Sequence, residues 1–189
     1  KGHASPGIYC ILADLGFFPK EDLQLFARAE GKIGVLLKAD VPGVEVTSGS
    51  LGHGLGIAAG IAEGLKMDGQ DNLVYCMLGD AECREGSIWE AAMHIGYRGL
   101  NNIITIIDRN QLGAVHFTEM EAGLESLDEK WRSFGFEVRR VNGHDYQEIL
   151  SALGNPRQGL TKKPIVIIAD TVKGKGVSFI ENQPFMHGC

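Results

Sequence analysis

Residues 73–80 read LVYCMLGD and residues 103–110 read IITIIDRN, so a carboxylate, Asp80, and an amide, Asn110, each follow a short apolar run, thirty positions apart. A carboxylate oxygen, an amide oxygen and a nearby main-chain carbonyl make a hard, all-oxygen ligand set that suits Mg2+ or Ca2+ better than zinc. Neither histidine nor thiolate takes part. Mg2+ commonly completes its octahedron, at about 2.0–2.1 Å, with phosphate oxygens, so such a set would clamp a diphosphate. After Asp80 the chain passes through Ala81 and ECREGS toward a helix near Ser87, which aims unpaired backbone N–H groups and the positive end of a helix dipole at the same anion. Taken alone, the pair also reads as a helix-capping Asp80 and a turn-forming Asn110.

The elements around these residues argue for convergence. LVYCML (73–78), IITII (103–107), EVRRV (137–141) and IVIIA (165–169) are rich in β-branched residues and end in turn-forming or polar residues, as parallel strands do. The stretches between them carry helical patterns: LQLFARA (23–29) behind Pro19, Glu21 and Asp22; LGIAAGIAEGLKM (55–67), with Leu55, Ile57 or Ala58, Ile61, Ala62 and Leu65 near a 3.6-residue period; SIWEAAMHIGY (87–97); and DYQEILSAL (145–153). Strands alternating with helices predict an α/β fold, a mainly parallel sheet with helices on both faces, whose ligands sit beyond the carboxyl ends of the strands. If the strands ending at Asp80 and Asn110 are neighbours, both side chains face one crevice.

Composition sets the outer limits. A chain of 189 residues that is 44% hydrophobic can bury one sizeable core, and one domain over 1–189 is the expectation. A formal net charge of −6, without a Lys/Arg block, speaks against a nucleic-acid surface. The four cysteines, Cys10, Cys76, Cys83 and Cys189, show neither a close ligand pair nor a secreted framework, which points to a reducing cytoplasm. No run approaches the roughly 18 apolar residues that cross a bilayer, so no membrane association is expected. The first residue is Lys1 rather than Met, and some terminal residues are expected to be missing from this sequence.

Further matches run in order along the chain: KGHASPGIY (1–9), PGVEVTSGSLGHGLGIAAG (42–60), GDAECREGSIWEA (79–91), IIDRNQL (106–112), NGHD (142–145), TVKGKGV (171–177) and MHG (186–188). Together they resemble the diphosphate-binding half of the transketolase family, which uses thiamine diphosphate. The resemblance implies a thiamine-diphosphate-binding fold, with Mg2+ (or Ca2+ or Mn2+) coordinated by Asp80, Asn110 and the main-chain oxygen of Leu112. It further implies that Gly79 and Ala81 offer backbone N–H groups to the diphosphate and that Gly49 and Leu51 border the cofactor rings. Glu85 would join a carboxylate network reaching the partner domain, His3 would line the substrate channel, and His187 would contact the diphosphate and the reacting hydroxyls. A neutral imidazole is suited to moving hydroxyl protons at neutral pH. Since the cofactor carries the reaction, the protein mainly anchors and orients it.

The family's pyrimidine-binding domain, with its activating glutamate, has no counterpart in this chain. The resemblance therefore implies the N-terminal subunit of a split transketolase, active only with a C-terminal partner subunit in an α2β2 assembly. The implied reaction, of the pentose-phosphate type, moves a two-carbon ketol unit from a ketose or ketose phosphate to an aldose. Alternatives are a synthase of the deoxyxylulose-phosphate type, a specialised enzyme for an unusual sugar or α-keto acid, and a noncatalytic cofactor-binding subunit. Two departures stand out: Ala81 replaces the third glycine of Gly-Asp-Gly, and GKIGVLLKADVPGVE (31–45) lacks the family's Gly-His-Pro, which weakens the case for xylulose 5-phosphate as donor. Among the remaining acidic and histidine residues, Glu82 reads as a solvated or capping carboxylate, His53 reads equally as active-site or packing, and His144 reads as a turn residue that starts a helix.

Overall fold

The computed structural model describes residues 1–154 and 162–187. They form two compact units, Lys1–Leu51 and Gly52–Cys189. In the first unit, helix α1 (Ser5–Asp14) opens with Pro6 in its first turn, where a missing N–H costs nothing. This helix is absent from the sequence reading. Tyr9 is its buried anchor: it packs with Ile33 and Val41, meets Phe18 and Phe26 edge-on, and its hydroxyl donates to the Leu36 carbonyl at 2.9 Å.

The helix expected over 23–29 does not form. The chain makes a 3-10 turn, Lys20–Leu25, with Glu21 and Asp22 in its first turn as anticipated, and then leaves the helical path at Phe26. Ala27 adopts a left-handed φ of 56° so that its N–H can reach the Ile33 carbonyl. Docking of Leu23 and Phe26 against the Tyr9 cluster outweighs local helical preference in so short a segment.

In the second unit, four parallel strands, β1 (Val74–Gly79), β2 (Ile103–Arg109), β3 (Glu137–Asn142) and β4 (Ile165–Asp170), lie in the order β1-β2-β4-β3. The chain steps from β1 to β2 through α3 (Gly86–Arg98). It then continues past the β4 position to β3 through α4 (Thr118–Glu121) and α5 (Leu127–Ser133), and returns to β4 through α6 (Tyr146–Leu153). Right-handed crossovers that reverse direction must change face. Accordingly Ile103, Ile107, Val166 and Ile168 pack with α2 (His53–Met67), α3 and α5, whereas Ile104, Ile165 and Ile167 pack with Ala152 and Leu153 of α6. The mainly parallel sheet with helices on both faces is thus as expected. On α2 the buried face consists of Leu55, Ala58, Ala59 and Ala62, while Ile57 and Ile61 are exposed, so the apolar stripe is narrower than its sequence pattern.

Helix ends follow local chemistry. Gly99 ends α3 in the left-handed region, and the Asp145 carboxylate caps α6 by accepting from the Gln147 and Glu148 N–H groups. The neighbouring His144, expected as a turn residue that starts a helix, lies in the turn before Asp145 and accepts the Val172 N–H at 2.7 Å. Cys76 and Cys83 are buried, and burial pushes the Cys76 thiol up to about 11 and the Cys83 thiol higher still, which makes both unreactive. Among the described residues, no helix is long and apolar enough to cross a membrane.

Gly96 of α3 lies so close to the Phe134 carbonyl that a Cβ would stand 1.7 Å from that oxygen. Gly96→Ala is expected to separate α3 from the Trp131–Phe136 aromatic cluster and to cost about 2–4 kcal/mol, read as a lower midpoint in chemical denaturation. An unchanged midpoint would contradict this packing.

Candidate functional site

β1 and β2 are adjacent, and Gly79 pairs in register with Asp108, so the two chains leave the sheet side by side. The Asp80 N–H donates to the Asp108 carbonyl at 3.2 Å, and the Asp80 carboxylate reaches the backbone immediately beyond Asn110. The strands that end at Asp80 and Asn110 are thus neighbours, the condition set for convergence. Asp80, only 1% exposed, has three hydrogen-bond donors around it: Oδ1 accepts the Ala81 N–H at 2.7 Å, and Oδ2 accepts the Gln111 N–H at 2.6 Å and Nη1 of Arg109 at 3.0 Å. Asn110 is also buried, and its Oδ1 accepts the Leu112 N–H at 3.0 Å. Gln111, whose N–H donates to the carboxylate, takes a left-handed φ of 63° in this turn.

Arg109 is the residue that sequence reasoning passed over. Its guanidinium is 2% exposed and binds Asp80, the Thr118 hydroxyl (2.8 Å), Glu119 (2.9 Å) and Glu125 (2.9 Å). One buried cation thus joins the end of β1 to α4 and the segment that follows it. Burial alone would raise the Glu119 and Glu125 carboxyls, but hydrogen bonds from backbone N–H groups and from Arg109 outweigh it and hold both below the ordinary carboxylate range.

Of the two readings of Glu82, solvated or capping, the solvated one requires a correction. Glu82 is buried rather than solvated, and it accepts two backbone N–H groups, from Gly52 and Gly79, both at 3.0 Å. Gly52 is the N-cap of α2 and has no side chain to close the helix start, so Glu82 satisfies that donor from across the fold. The same contact involves Gly79, and a neighbouring one involves Ala81. Their N–H groups are bonded to the Glu82 and Asp80 carboxylates, respectively. Ala81 opens the 3-10 turn Ala81–Arg84 without a left-handed φ, so its methyl group causes no backbone strain.

The other expected site residues fall in both units. His3, exposed, and Gly49 and Leu51, also exposed, belong to the first unit. Gly49 has a φ of 133°, and a Cβ there would meet the Leu36 side chain at 2.5 Å. In the second unit, Glu85 is exposed at the N-cap of α3, and His53 is the exposed first residue of α2. His187 is half-buried, with its Nδ1 facing the Lys173 ammonium, while Gly188 and Cys189 lie outside the described residues. An ammonium has only donors, so Nδ1 is the acceptor and Nε2 carries the imidazole proton.

These residues fit a small hard cation. A carboxylate offers about four lone-pair positions, and Asp80 has donors on three of them, leaving one on Oδ1; Asn110 Oδ1 likewise keeps one position beyond its bond from Leu112. Among the described residues there is no group of three or more His, Cys, Asp or Glu side chains able to hold a metal. The Asp80, Asn110 and Leu112 set contains one such side chain and so is of a different kind.

Residues 1–189 match the model of the transketolase thiamine diphosphate binding domain. The chain belongs to the transketolase family. It is 40% identical over 188 residues to one subunit of the apulose-4-phosphate transketolase of Actinobacillus succinogenes, covering 99% of this chain and 67% of that protein. It is 38% identical over 192 residues to the 6-deoxy-6-sulfo-D-fructose transketolase subunit SqwG of a Clostridium species, covering 99% and 68%. The transketolase crystal structure from Campylobacter jejuni superposes with a TM-score of 0.92 at 33% identity, over 98% of this chain and 30% of that one. The chain thus spans about two thirds of the subunit relatives and under one third of the longer transketolase.

Glu82→Ala would leave the Gly52 and Gly79 N–H groups without their carboxylate. A loss of about 2–4 kcal/mol in denaturant unfolding is expected. A surface carboxylate would lose under about 0.5 kcal/mol, and that result would remove Glu82 from the scaffold's supports.

Proposed function

We propose that this chain is the N-terminal, diphosphate-binding subunit of a split transketolase that transfers a two-carbon ketol unit between sugars. The observation that carries the reading is the pair of adjacent strand ends at which Asp80 and Asn110 each keep one lone pair available inside a buried, fully hydrogen-bonded turn. In this reading Asp80, Asn110 and the main-chain oxygen of Leu112 hold Mg2+, which neutralises the diphosphate of thiamine diphosphate. When bound, that cofactor supplies the nucleophilic carbon and the electron sink needed to break and remake a carbon–carbon bond next to a carbonyl.

The remaining tasks fall to the chain's own residues. His187 has Nδ1 engaged by Lys173, so Nε2–H is the nitrogen that donates to a substrate hydroxyl or to the diphosphate. His3 is the second imidazole of the family pattern and handles hydroxyl protons along the substrate path. Gly49 and Leu51 border the cofactor rings. The exposed carboxylate of Glu85 at the start of α3 is placed to hydrogen-bond with a partner chain. That partner is a C-terminal subunit carrying the pyrimidine-binding domain, in an α2β2 assembly within a reducing cytoplasm. The relatives named for apulose 4-phosphate and 6-deoxy-6-sulfo-D-fructose, together with the absence of Gly-His-Pro in residues 31–45, favour a sugar other than xylulose 5-phosphate as donor.

The test uses the complex purified through a tag on the full-length chain. Asp80→Ala should weaken Mg2+-dependent binding of thiamine diphosphate at least about 100-fold by calorimetry and abolish ketol transfer. The fold should persist, because Arg109 keeps Glu119 and Glu125 as partners. Full cofactor affinity in the variant would refute the metal assignment.

A further inference from the structure

Arg109 Nη1 donates to Oδ2 of Asp80 at 3.0 Å. The Gln111 N–H shares that oxygen, so Oδ2 has both lone-pair positions filled, and Oδ1 has one filled by Ala81. A carboxylate in this state can bind a cation through one oxygen only. Asn110 is limited in the same way by the Leu112 N–H. Ca2+ takes six to eight oxygens at about 2.3–2.6 Å and readily accepts a two-oxygen carboxylate, whereas Mg2+ requires a compact octahedron at about 2.0–2.1 Å and takes one oxygen per group.

We infer that Arg109 is a positioning residue that sets metal selectivity: by occupying Oδ2 of Asp80 it enforces one-oxygen ligation and biases the site toward Mg2+ over Ca2+. The inference rests on the metal assignment proposed above. Arg109 is suited to the task because its guanidinium is anchored elsewhere by Thr118, Glu119 and Glu125, so it does not swing away when a dication arrives. Its planar fork presents one N–H to Asp80 while the other nitrogens stay engaged.

Dissociation constants of Mg2+ and of Ca2+ are measured by calorimetry on the metal-stripped complex at saturating thiamine diphosphate, for the unmodified protein, Arg109→Met and Arg109→Lys. Arg109→Met should reduce the preference for Mg2+ over Ca2+ by about tenfold, the size of one charged hydrogen bond exchanged for one metal–oxygen contact. Arg109→Lys, which keeps a charged donor on Oδ2, should retain the preference within about twofold. Parallel losses for both cations in Arg109→Met would mean that Arg109 only supports the fold, and would overturn the inference. A crystal structure of the unmodified complex with Ca2+ decides without any variant: Asp80 should bind through one oxygen with Arg109 still on the other, and two-oxygen ligation with Arg109 displaced would overturn it. Cofactor binding by the unmodified complex that is indifferent to both cations would refute the metal assignment itself, and the inference with it.

Discussion

A carboxylate buried to 1% exposure at the end of a β-strand needs hydrogen-bond donors around it, and at Asp80 the charged one is the Arg109 guanidinium at 3.0 Å. An unpaired buried ion costs several kcal/mol, and Arg109 is further paired with Glu119 and Glu125. Pairing settles the charge and also the geometry. Because Arg109 simultaneously holds Thr118, Glu119 and Glu125, the turn after β2 and the segment through α4 are fixed relative to the end of β1. Asn110 and Leu112, which lie between these anchors, inherit their positions from it.

A second carboxylate performs a complementary task one residue beyond Ala81. Glu82 ties the Gly79 end of β1 to Gly52 at the start of α2, closing a helix whose N-cap glycine has no side chain. Gly52 has a φ of 83°, and a Cβ at that position would lie 2.6 Å from Glu85 Cβ, so glycine is required both for conformation and for the close approach to the start of α3. The sequence GDAE thus places one carboxylate against the end of β2 and the other back into the scaffold. The N–H groups of Gly79 and Ala81 are bonded to these two carboxylates, which ties the turn to its own acidic side chains.

Much of this architecture is legible in the sequence. All four strands stand where the runs LVYCML, IITII, EVRRV and IVIIA place them; for β2 and β4 the cause is that buried parallel strands leave a compositional trace that needs no tertiary context. The helix over 23–29 is not legible, since packing of Leu23 and Phe26 on Tyr9 decides that segment. Glu82 is hidden for a similar reason: a buried and a solvated carboxylate look alike until the partner N–H groups from another element are known. Arg109 did leave a signal. In β2 the residues at 103, 105 and 107 are buried, and 109 continues that phase, so a charge there announces a buried ion pair. Asp80 was its available partner.

The most direct measurement is anomalous diffraction from crystals of the complex grown with Mn2+ and thiamine diphosphate. A single manganese peak is expected about 2.2 Å from one oxygen of Asp80 and from Asn110 Oδ1, with the Leu112 carbonyl completing the protein's share. Bound cofactor with its diphosphate held elsewhere, and no manganese between the ends of β1 and β2, would contradict the metal-anchored reading of this site.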